Sequence, residues 1–489
     1  MNKYDEIQKL ADQRGLFFPS AEIHSALSGF WDFGPLGANV RRKIIEFWRK
    51  EIVRKTDGIE IEGCTIMPKN TFLASGHLDS FVDPVVQCKK CHKIYRADSL
   101  IEDIIKKKVP ENLKTEEFDK LIKDNSISCP DCKGELDKTK KFNMMIGLSI
   151  GPLSKECNAY LRPETCQSIF TAFQKIYKTS RISLPIGIAQ VGRVYRNEIS
   201  PRQSLIRLRE ITQLELEVFF NPKKAYVPEY KNYEDYEIMI KINESTNPIK
   251  IKKAVKNGVI SNELIAYYLA VLQEFFEKCG FKKDSMRFRY LKDDEKAFYS
   301  KETFDFEVLT SIGWLELVAC NYRTDFDLKS HSKFSGVDLA VFEDEGKFFP
   351  HVFELSAGLD RIFYAIIENS LGERDGKPVL KLPYFLSSLD VVVLPLVKKG
   401  GIYEKALEIY NILKKDFDTK IDEKGSIGKR YLIYDQLGVP LAITVDYDSL
   451  KNDDVTIRDR DTTKQIRIKI KDLKEVLRSF FEGKKIFNI

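Results

Sequence analysis

At 489 residues the chain is too long for one ordinary domain, and two or three are expected. With 43% hydrophobic and 31% charged residues it reads as soluble and globular, and 79 Lys plus Arg against 73 Asp plus Glu leave a net charge of only +6, so any hold on nucleic acid has to come from local basic patches. No apolar run approaches the roughly 18–20 residues of a membrane span, and Met1 to Arg14 alternates charge without the apolar core of a secretion signal. Four of the nine cysteines fall in two CxxC pairs, which suit metal binding in a reducing cytoplasm better than disulfides.

In chain order, Gly34-Pro35 opens a helix predicted over residues 36–54. Val40, Ile44, Trp48 and Ile52 recur every four residues, with Arg41, Arg42, Lys43 and Arg49 off that stripe. The stripe reads as core, with a subunit interface as the alternative. From Cys88 to about Lys141 the chain turns Lys-rich, with Lys106, Lys107 and Lys108 in a row, and has the look of an insertion. Residues 186–220 carry the densest pattern. A strand ending Arg193-Val194-Tyr195-Arg196-Asn197-Glu198 leads into a loop with Arg202 and Arg207, and a second strand follows. Period-two alternation puts Glu215 and Glu217 on one face of that strand and Leu214, Leu216, Val218 and Phe220 on the other. A solvated acidic face is one reading. The other is chemical: cations that hold phosphates beside acids that hold an ammonium are what an amino acid plus ATP requires. A polar stretch over residues 221–296 is expected to carry its own helices, and residues 377–388, with two prolines, read as a linker. Beyond it, the buried strand Val391 to Leu394, a helix with Ile402, Ala406, Ile409, Tyr410 and Leu413, an alternating strand with Ile466, Ile468 and Ile470, and a last helix with Leu473, Val476, Leu477, Phe480 and Phe481 make a separate α/β domain.

Tyr195-Arg196-Asn197-Glu198, with Arg207 and Glu215 spaced as they are, resembles motif 2 of class II aminoacyl-tRNA synthetases, and the wider stretch resembles the glycyl-tRNA synthetase family in particular. Gly34-Pro35-Leu36-Gly37 and its helix resemble motif 1, and Glu354-Leu355-Ser356-Ala357-Gly358-Leu359-Asp360-Arg361 resembles motif 3. Ser75-Gly76-His77, Tyr95-Arg96-Ala97-Asp98, Arg162-Pro163-Glu164-Thr165, Trp314 to Val318 and Arg323 to Leu328 are similar to glycyl-family signatures, and Gly425 to Tyr431 with Val455 to Asp461 to its anticodon-binding module. The resemblance implies an α+β fold, a class II antiparallel sheet with flanking helices plus a C-terminal α/β anticodon-binding domain. Its catalytic domain would come in three parts, residues 1–82, 142–220 and 297–382, separated by insertions at 83–141 and 221–296, with the anticodon-binding domain at 388–489.

The activity implied is glycine–tRNA ligation: glycine is activated with ATP and Mg²⁺ to an adenylate and passed to tRNA(Gly), with diadenosine tetraphosphate as a side product. Arg196, Glu316 and Arg361 are the implied catalytic residues. Asn197, Glu198, Arg207, Leu208 and Leu317 join them around ATP. Glu164, Glu215, Glu354, Ser356 and Arg96 would line the glycine site. The motif 1 match implies a homodimer. Two departures stand out: Ile211 where the family usually has a Phe that stacks on adenine, and Leu355 where motif 3 usually has Pro. The first is expected to weaken ATP binding. Rival readings are a class II enzyme for another amino acid and a non-catalytic tRNA-binding relative. The latter would let Arg196, Glu198, Glu316 and Arg361 decay, and all four are present.

Cys88-Lys89-Lys90-Cys91 and Cys129-Pro130-Asp131-Cys132 form CxxC…CxxC among nine cysteines. Two such knuckles can present four thiolates to a structural Zn²⁺, closed to catalysis, with helical sequence looping out between them. A redox dithiol or idle cysteines are the alternatives. The Lys-rich arm is a candidate contact for the tRNA acceptor stem.

Overall fold

A computed structural model describes residues 2–107, 109–110, 113–152, 156–199, 201, 203–293, 295–296, 299–343 and 346–487; Lys108 and Arg202 lie outside the described residues. The large sheet takes, in chain order, β1 (Ile59–Glu60), β2 (Ile186–Tyr195), β3 (Glu210–Phe220), β4 (Glu237–Ile242), β5 (Ser245–Lys250), β6 (Met286–Tyr290), β7 (Glu302–Thr310), β8 (Gly313–Thr324) and β9 (His351–Gly358). Their order in space is β5-β4-β6-β7-β8-β9-β3-β2-β1. From β6 to β2 every neighbour is antiparallel, while β4–β6 and β1–β2 pair in parallel.

The longer helices of this part are α1 (Lys3–Arg14), α2 (Pro35–Trp48), α3 (Ala97–Ile105), α4 (Thr115–Asp124), α5 (Cys166–Thr179), α6 (Glu263–Lys278), α7 (Phe326–Ser335) and α8 (Leu359–Ser370). The alternation in β3 sorts them. Leu214, Leu216, Val218 and Phe220 enter one core with α1, α2, α6 and α8, and Phe219 on the other face stacks on Phe173 of α5 at 4.2 Å. Helix α2 begins with Pro35 in its first turn and continues as a π-turn over Arg49–Val53. Val40, Ile44, Trp48 and Ile52 are all buried in the chain's own core, so this stripe is packing within one chain.

Residues 221–296 do more than separate two strand regions. They give three strands, β4, β5 and β6, to the same sheet, and α6 is apolar nearly all round and buried as core. A helix hydrophobic on every side belongs inside a domain, and that is where α6 lies. The insertion near the cysteines folds on its own small core: Val86, Leu100, Ile101 and Phe118 unite a three-stranded sheet (Val82–Gln87, Ile94–Arg96, Lys140–Asn143) with α3 and α4. Between the two knuckles stand the expected helices.

Residues 377–388 begin as a strand, Lys377–Leu380, paired with Leu371–Arg374, so only their latter part connects. The C-terminal unit contains β10 (Val391–Pro395), α9 (Ile402–Leu413), β11 (Thr419–Ile421), α10 (Ile427–Gln436), β12 (Leu441–Val445), β13 (Asp454–Asp459), β14 (Gln465–Lys469) and α11 (Leu473–Phe481). Its sheet runs β11-β10-β12-β13-β14, parallel around β10 and antiparallel beyond β12. Val391 and Val393 face its own core, whereas Val392 and Leu394 face the core shared with the main sheet, so the two sheets are joined by apolar packing. No helix among the described residues is long and apolar enough to cross a membrane.

Candidate active site

The site is built on the β2–β3 hairpin and the strands beside it. Arg162-Pro163-Glu164-Thr165 docks against that hairpin at both ends. The Arg162 guanidinium donates to the carbonyls of Arg193 (2.9 Å) and Gly63 (3.0 Å), and Thr165 N donates to Gln213 Oε1 at 2.9 Å. A Cβ at Gly192 would come within 2.0 Å of that guanidinium, so only glycine fits there. Arg196 Nε donates back to the Pro163 carbonyl at 3.1 Å, and its guanidinium lies 5.5 Å from the Phe81 ring.

Register then gathers the acids. Glu215 pairs with Ser356 and Glu217 with Glu354 across β3 and β9, and Asn321 of β8 pairs with Glu354 on the far side. All share one face, and Glu215, Glu217 and Glu354 are buried, so the acidic face is not solvated. Glu354 accepts from Asn321 Nδ2 (2.7 Å) and from Arg323 Nη1 (3.1 Å). Arg323 is itself clamped through Nε and Nη2 to Asp327, each at 2.8 Å. Glu164 accepts from Gln167 at 2.8 Å and faces His77 Nε2 at 3.2 Å, whose other ring nitrogen meets Ser75 Oγ at 2.7 Å. Burial opposes ionisation of Glu164, but His77 and Arg323 outweigh it and hold that carboxyl well below the usual range. Glu215 goes the other way: burial, with Glu354 and Glu164 close by, pushes it up to about 8.

A cavity of about 230 Å³ opens in front of these groups. Arg196, Glu198, Arg207, Leu208, Glu316, Leu317 and Arg361 line it together with Glu164, Glu354 and Ser356. Three arginines thus share one cavity with Glu164, Glu198, Glu316 and Glu354. Arg361, in the first turn of α8, donates to the carbonyls of Ile206 and Glu316, each at 3.0 Å, and approaches Glu316 Oε2 at 3.4 Å; Arg207 lies 3.7 Å from Glu198. Asp360 just before it is tied to both other motif segments. Arg41 of α2 meets Asp360 Oδ1 at 2.6 Å and donates to Thr212 Oγ1 at 2.8 Å, while Thr212 N donates to Asp360 Oδ2 at 2.9 Å. Losing one partner of so buried a pair costs about 3–5 kcal/mol.

Three expected site residues are not on the cavity wall. Glu215 sits one layer behind it, taken by Thr165 Oγ1 and by Gln213 Nε2 at 2.7 Å, and Gln213 also reaches Ser356 Oγ at 2.7 Å. Arg96 is held by Asp98 and by Asp83 at 3.4 Å. Asn197 donates its backbone N–H to the Met144 carbonyl at 2.9 Å. Conversely, Gln213, Tyr299, Ala319 and Asn321 line the cavity, and reading by charge alone passed over them. Ile211 is on the wall, whereas Leu355 is buried in the core on the opposite face, so the Pro-to-Leu departure leaves the cavity untouched.

Away from the cavity, Cys88, Cys91, Cys129 and Cys132 bring their sulfurs within 4.8 Å of one another, with Cys88–Cys132 at 3.4 Å and Cys91–Cys129 at 3.6 Å. Four thiolates about 2.3 Å from one zinc ion would stand close to this spacing. Gly134 completes the cradle: a Cβ there would lie 3.0 Å from Cys88 Sγ and 3.2 Å from Cys132 Sγ. The donors therefore fit a tetrahedral ion.

Comparison with known proteins agrees with this geometry. Residues 153–246 match the model of the tRNA synthetase class II core domain (G, H, P, S and T), and residues 390–480 that of the anticodon binding domain. The chain is 38% identical to the glycine–tRNA ligase of Pyrococcus furiosus, over 99% of this chain and 100% of that one. The chain belongs to the glycine–tRNA ligase family. Similar identities hold against the ligases of Pyrococcus horikoshii (37%, 99% of each chain) and Archaeoglobus fulgidus (35%, 98% of this chain and 97% of that one). The alignment to the first spans 568 positions against the 489 residues here, so that ligase carries segments this one lacks.

Glu215 keeps its proton in the folded ligase between its ordinary 4.5 and about 8, so unfolding releases a proton in that window and stability falls as pH rises through it. Thermal unfolding of the substrate-free Glu215→Gln variant should show a shallower loss of Tm across those pH values than the parent. An equal slope in both would show that Glu215 is not the buried proton carrier.

Proposed function

We propose that the cavity performs the first step of glycine–tRNA ligation and that its residues divide the substrates by charge. Arg196 takes the glycine carboxylate and the α-phosphate of ATP. Glu198 faces the adenine, Arg207 and Arg361 hold the outer phosphates, and Glu316 offers oxygen to the Mg²⁺ that travels with ATP. A glycine carboxylate oxygen bonds to the α-phosphorus, the bond from that phosphorus to the bridging oxygen breaks, and pyrophosphate leaves. The 3′-terminal hydroxyl of tRNA(Gly) then attacks the glycyl carbonyl and AMP departs. Neither step needs a protein nucleophile; the protein supplies position and charge. The observation that carries this reading is that one cavity holds Arg196, Arg207 and Arg361 beside Glu164, Glu354 and Ser356.

The ammonium falls to Glu164 and Glu354 on the wall, with Glu215 adding its charge from behind Gln213. Ser356 and Gln213, hydrogen-bonded to each other, stand where a Cα substituent would go. A fixed polar wall rejects a methyl by clash, which an apolar pocket does weakly, at about 1–3 kcal/mol per methylene. Arg96 and Asn197 act from outside this cavity, on the segments that frame it. The C-terminal unit reads the anticodon, and the cysteine knuckle holds a structural Zn²⁺ that stiffens the Lys-rich arm for the acceptor stem. The ligase works as a homodimer; Ile23 and Leu27, 89% and 71% exposed just before the motif 1 segment, supply an apolar surface for a second copy.

Glycine-dependent ATP–pyrophosphate exchange tests the first step: exchange is expected with glycine and not with alanine or serine, and equal exchange with alanine would refute the pocket reading. In the same assay Ile211→Phe should lower the ATP KM by about two- to tenfold, the equivalent of ~0.5–1.5 kcal/mol of stacking; an unchanged or raised KM would place adenine elsewhere. For the knuckle, metal analysis should find one zinc per parent chain and none in Cys88→Ser/Cys129→Ser. Zinc retained by that double variant would contradict the assignment.

A further inference from the structure

Glu217 is a buried acid beside the pocket to which the proposed mechanism gives no task. It stands two residues beyond Glu215 on β3, is 0% exposed, and neither of its carboxyl oxygens has a hydrogen-bond partner. It lies directly across from Glu354 on β9, and carboxyl oxygens of Glu215, Glu217 and Glu354, with Cys166 Sγ, come within 4.8 Å of one another. Both oxygens of Glu354 already accept N–H donors from Asn321 and Arg323, the arrangement of an ionised carboxylate. The charged or titratable groups that face Glu217 are Glu354, Glu215 on its own strand, Arg323 on β8, Asp327 on α7 and the thiol of Cys166. Arg323 is the one cation among them, and Asp327 and Glu354 engage all three of its guanidinium nitrogens.

A second ionised carboxylate opposite Glu354 would have neither a cation to balance it nor a donor to replace water. Like charges directly across a ladder repel, and burial multiplies the cost. Binding a proton at Glu217 removes the conflict. The same burial, followed by the nearness of Glu354, holds the Glu217 carboxyl well above the usual range.

We infer that Glu217 is a positioning residue for glycine binding: as a neutral carboxylic acid it turns its O–H toward the Glu354 carboxylate, fixing that group behind the ammonium and keeping the pocket's charge to what one ammonium can balance. The inference rests on the reading that Glu354 receives the ammonium. Three variants of the full-length ligase test it in glycine-dependent exchange. Glu217→Gln, which keeps a neutral donor, should hold the glycine KM within about twofold. Glu217→Leu, which removes the donor, should raise it roughly tenfold, the size of one hydrogen bond to a charged group, with kcat and the ATP KM nearly unmoved. A Gln variant as impaired as Leu, or a Leu variant with the parent's glycine KM, would overturn the inference. Glu354→Gln separates the two levels. An unchanged glycine KM there defeats the pocket assignment itself, whereas a raised KM there beside an unaffected Glu217→Leu defeats only the role of Glu217. If Glu217→Leu does not fold, infrared difference spectra of the parent against Glu217→Gln decide. Loss of a protonated-acid carbonyl band supports the inference, and loss of a carboxylate band overturns it.

Discussion

Three carboxyl groups buried on facing strands, with one arginine among them, set the terms for the rest of this fold. The requirement to balance charge away from water makes Arg323 bind Asp327 and Glu354 at once, and it leaves Glu215 and Glu217 short of a cation. In the proposed function the glycine ammonium supplies the cation for Glu215, and a proton neutralises Glu217. The pocket therefore does not need a side chain to recognise glycine; it needs a positive charge stripped of water and no room beside Cα. The strand register that aligns the acids also aligns Ser356 and Gln213, so attraction and exclusion come from the same two strands.

The arginine end of the cavity is held by a different device. Its arginines are aimed by backbone carbonyls: Arg196 by Pro163, and Arg361 by Ile206 and Glu316. Those carbonyls belong to segments far apart in the chain, and the Arg41–Asp360–Thr212 cluster ties α2 and β3 to the first turn of α8. A displacement of α2 would thus be felt at the first turn of α8, where Arg361 lies. Motif 1 reaches the chemistry from behind the sheet, through packing and one buried ion pair.

How much of this could be read from the sequence depends on whether the pattern was local. The period-two alternation of β3 declared its acidic face, and the spacing of the cysteines declared their cluster, because each needs only neighbouring residues. The burial of that acidic face did not show, since it depends on α5 and α7 arriving from elsewhere in the chain. Arg41, off the apolar stripe of its helix, is buried against Asp360, a contact across 319 residues that no local pattern announces. Residues 221–296 looked polar on average, and the apolar α6 within them was diluted by its surroundings. Arg96 was placed in the glycine pocket by its motif, yet the acids nearest in sequence and space, Asp98 and Asp83, engage it. Glu215 was assigned to the wall and lies one layer behind, because Gln213, an uncharged neighbour, occupies the front.

On the proposed reading Glu215 holds a proton in the empty pocket and gives it up when glycine brings its own charge. Calorimetric titration of glycine at neutral pH, repeated in buffers of different ionisation enthalpy, measures that exchange directly. With Glu215 titrating at about 8 in the empty pocket, close to one proton should be released to the buffer for each glycine bound. Binding with no proton released would contradict this: Glu215 would then keep one protonation state with and without glycine.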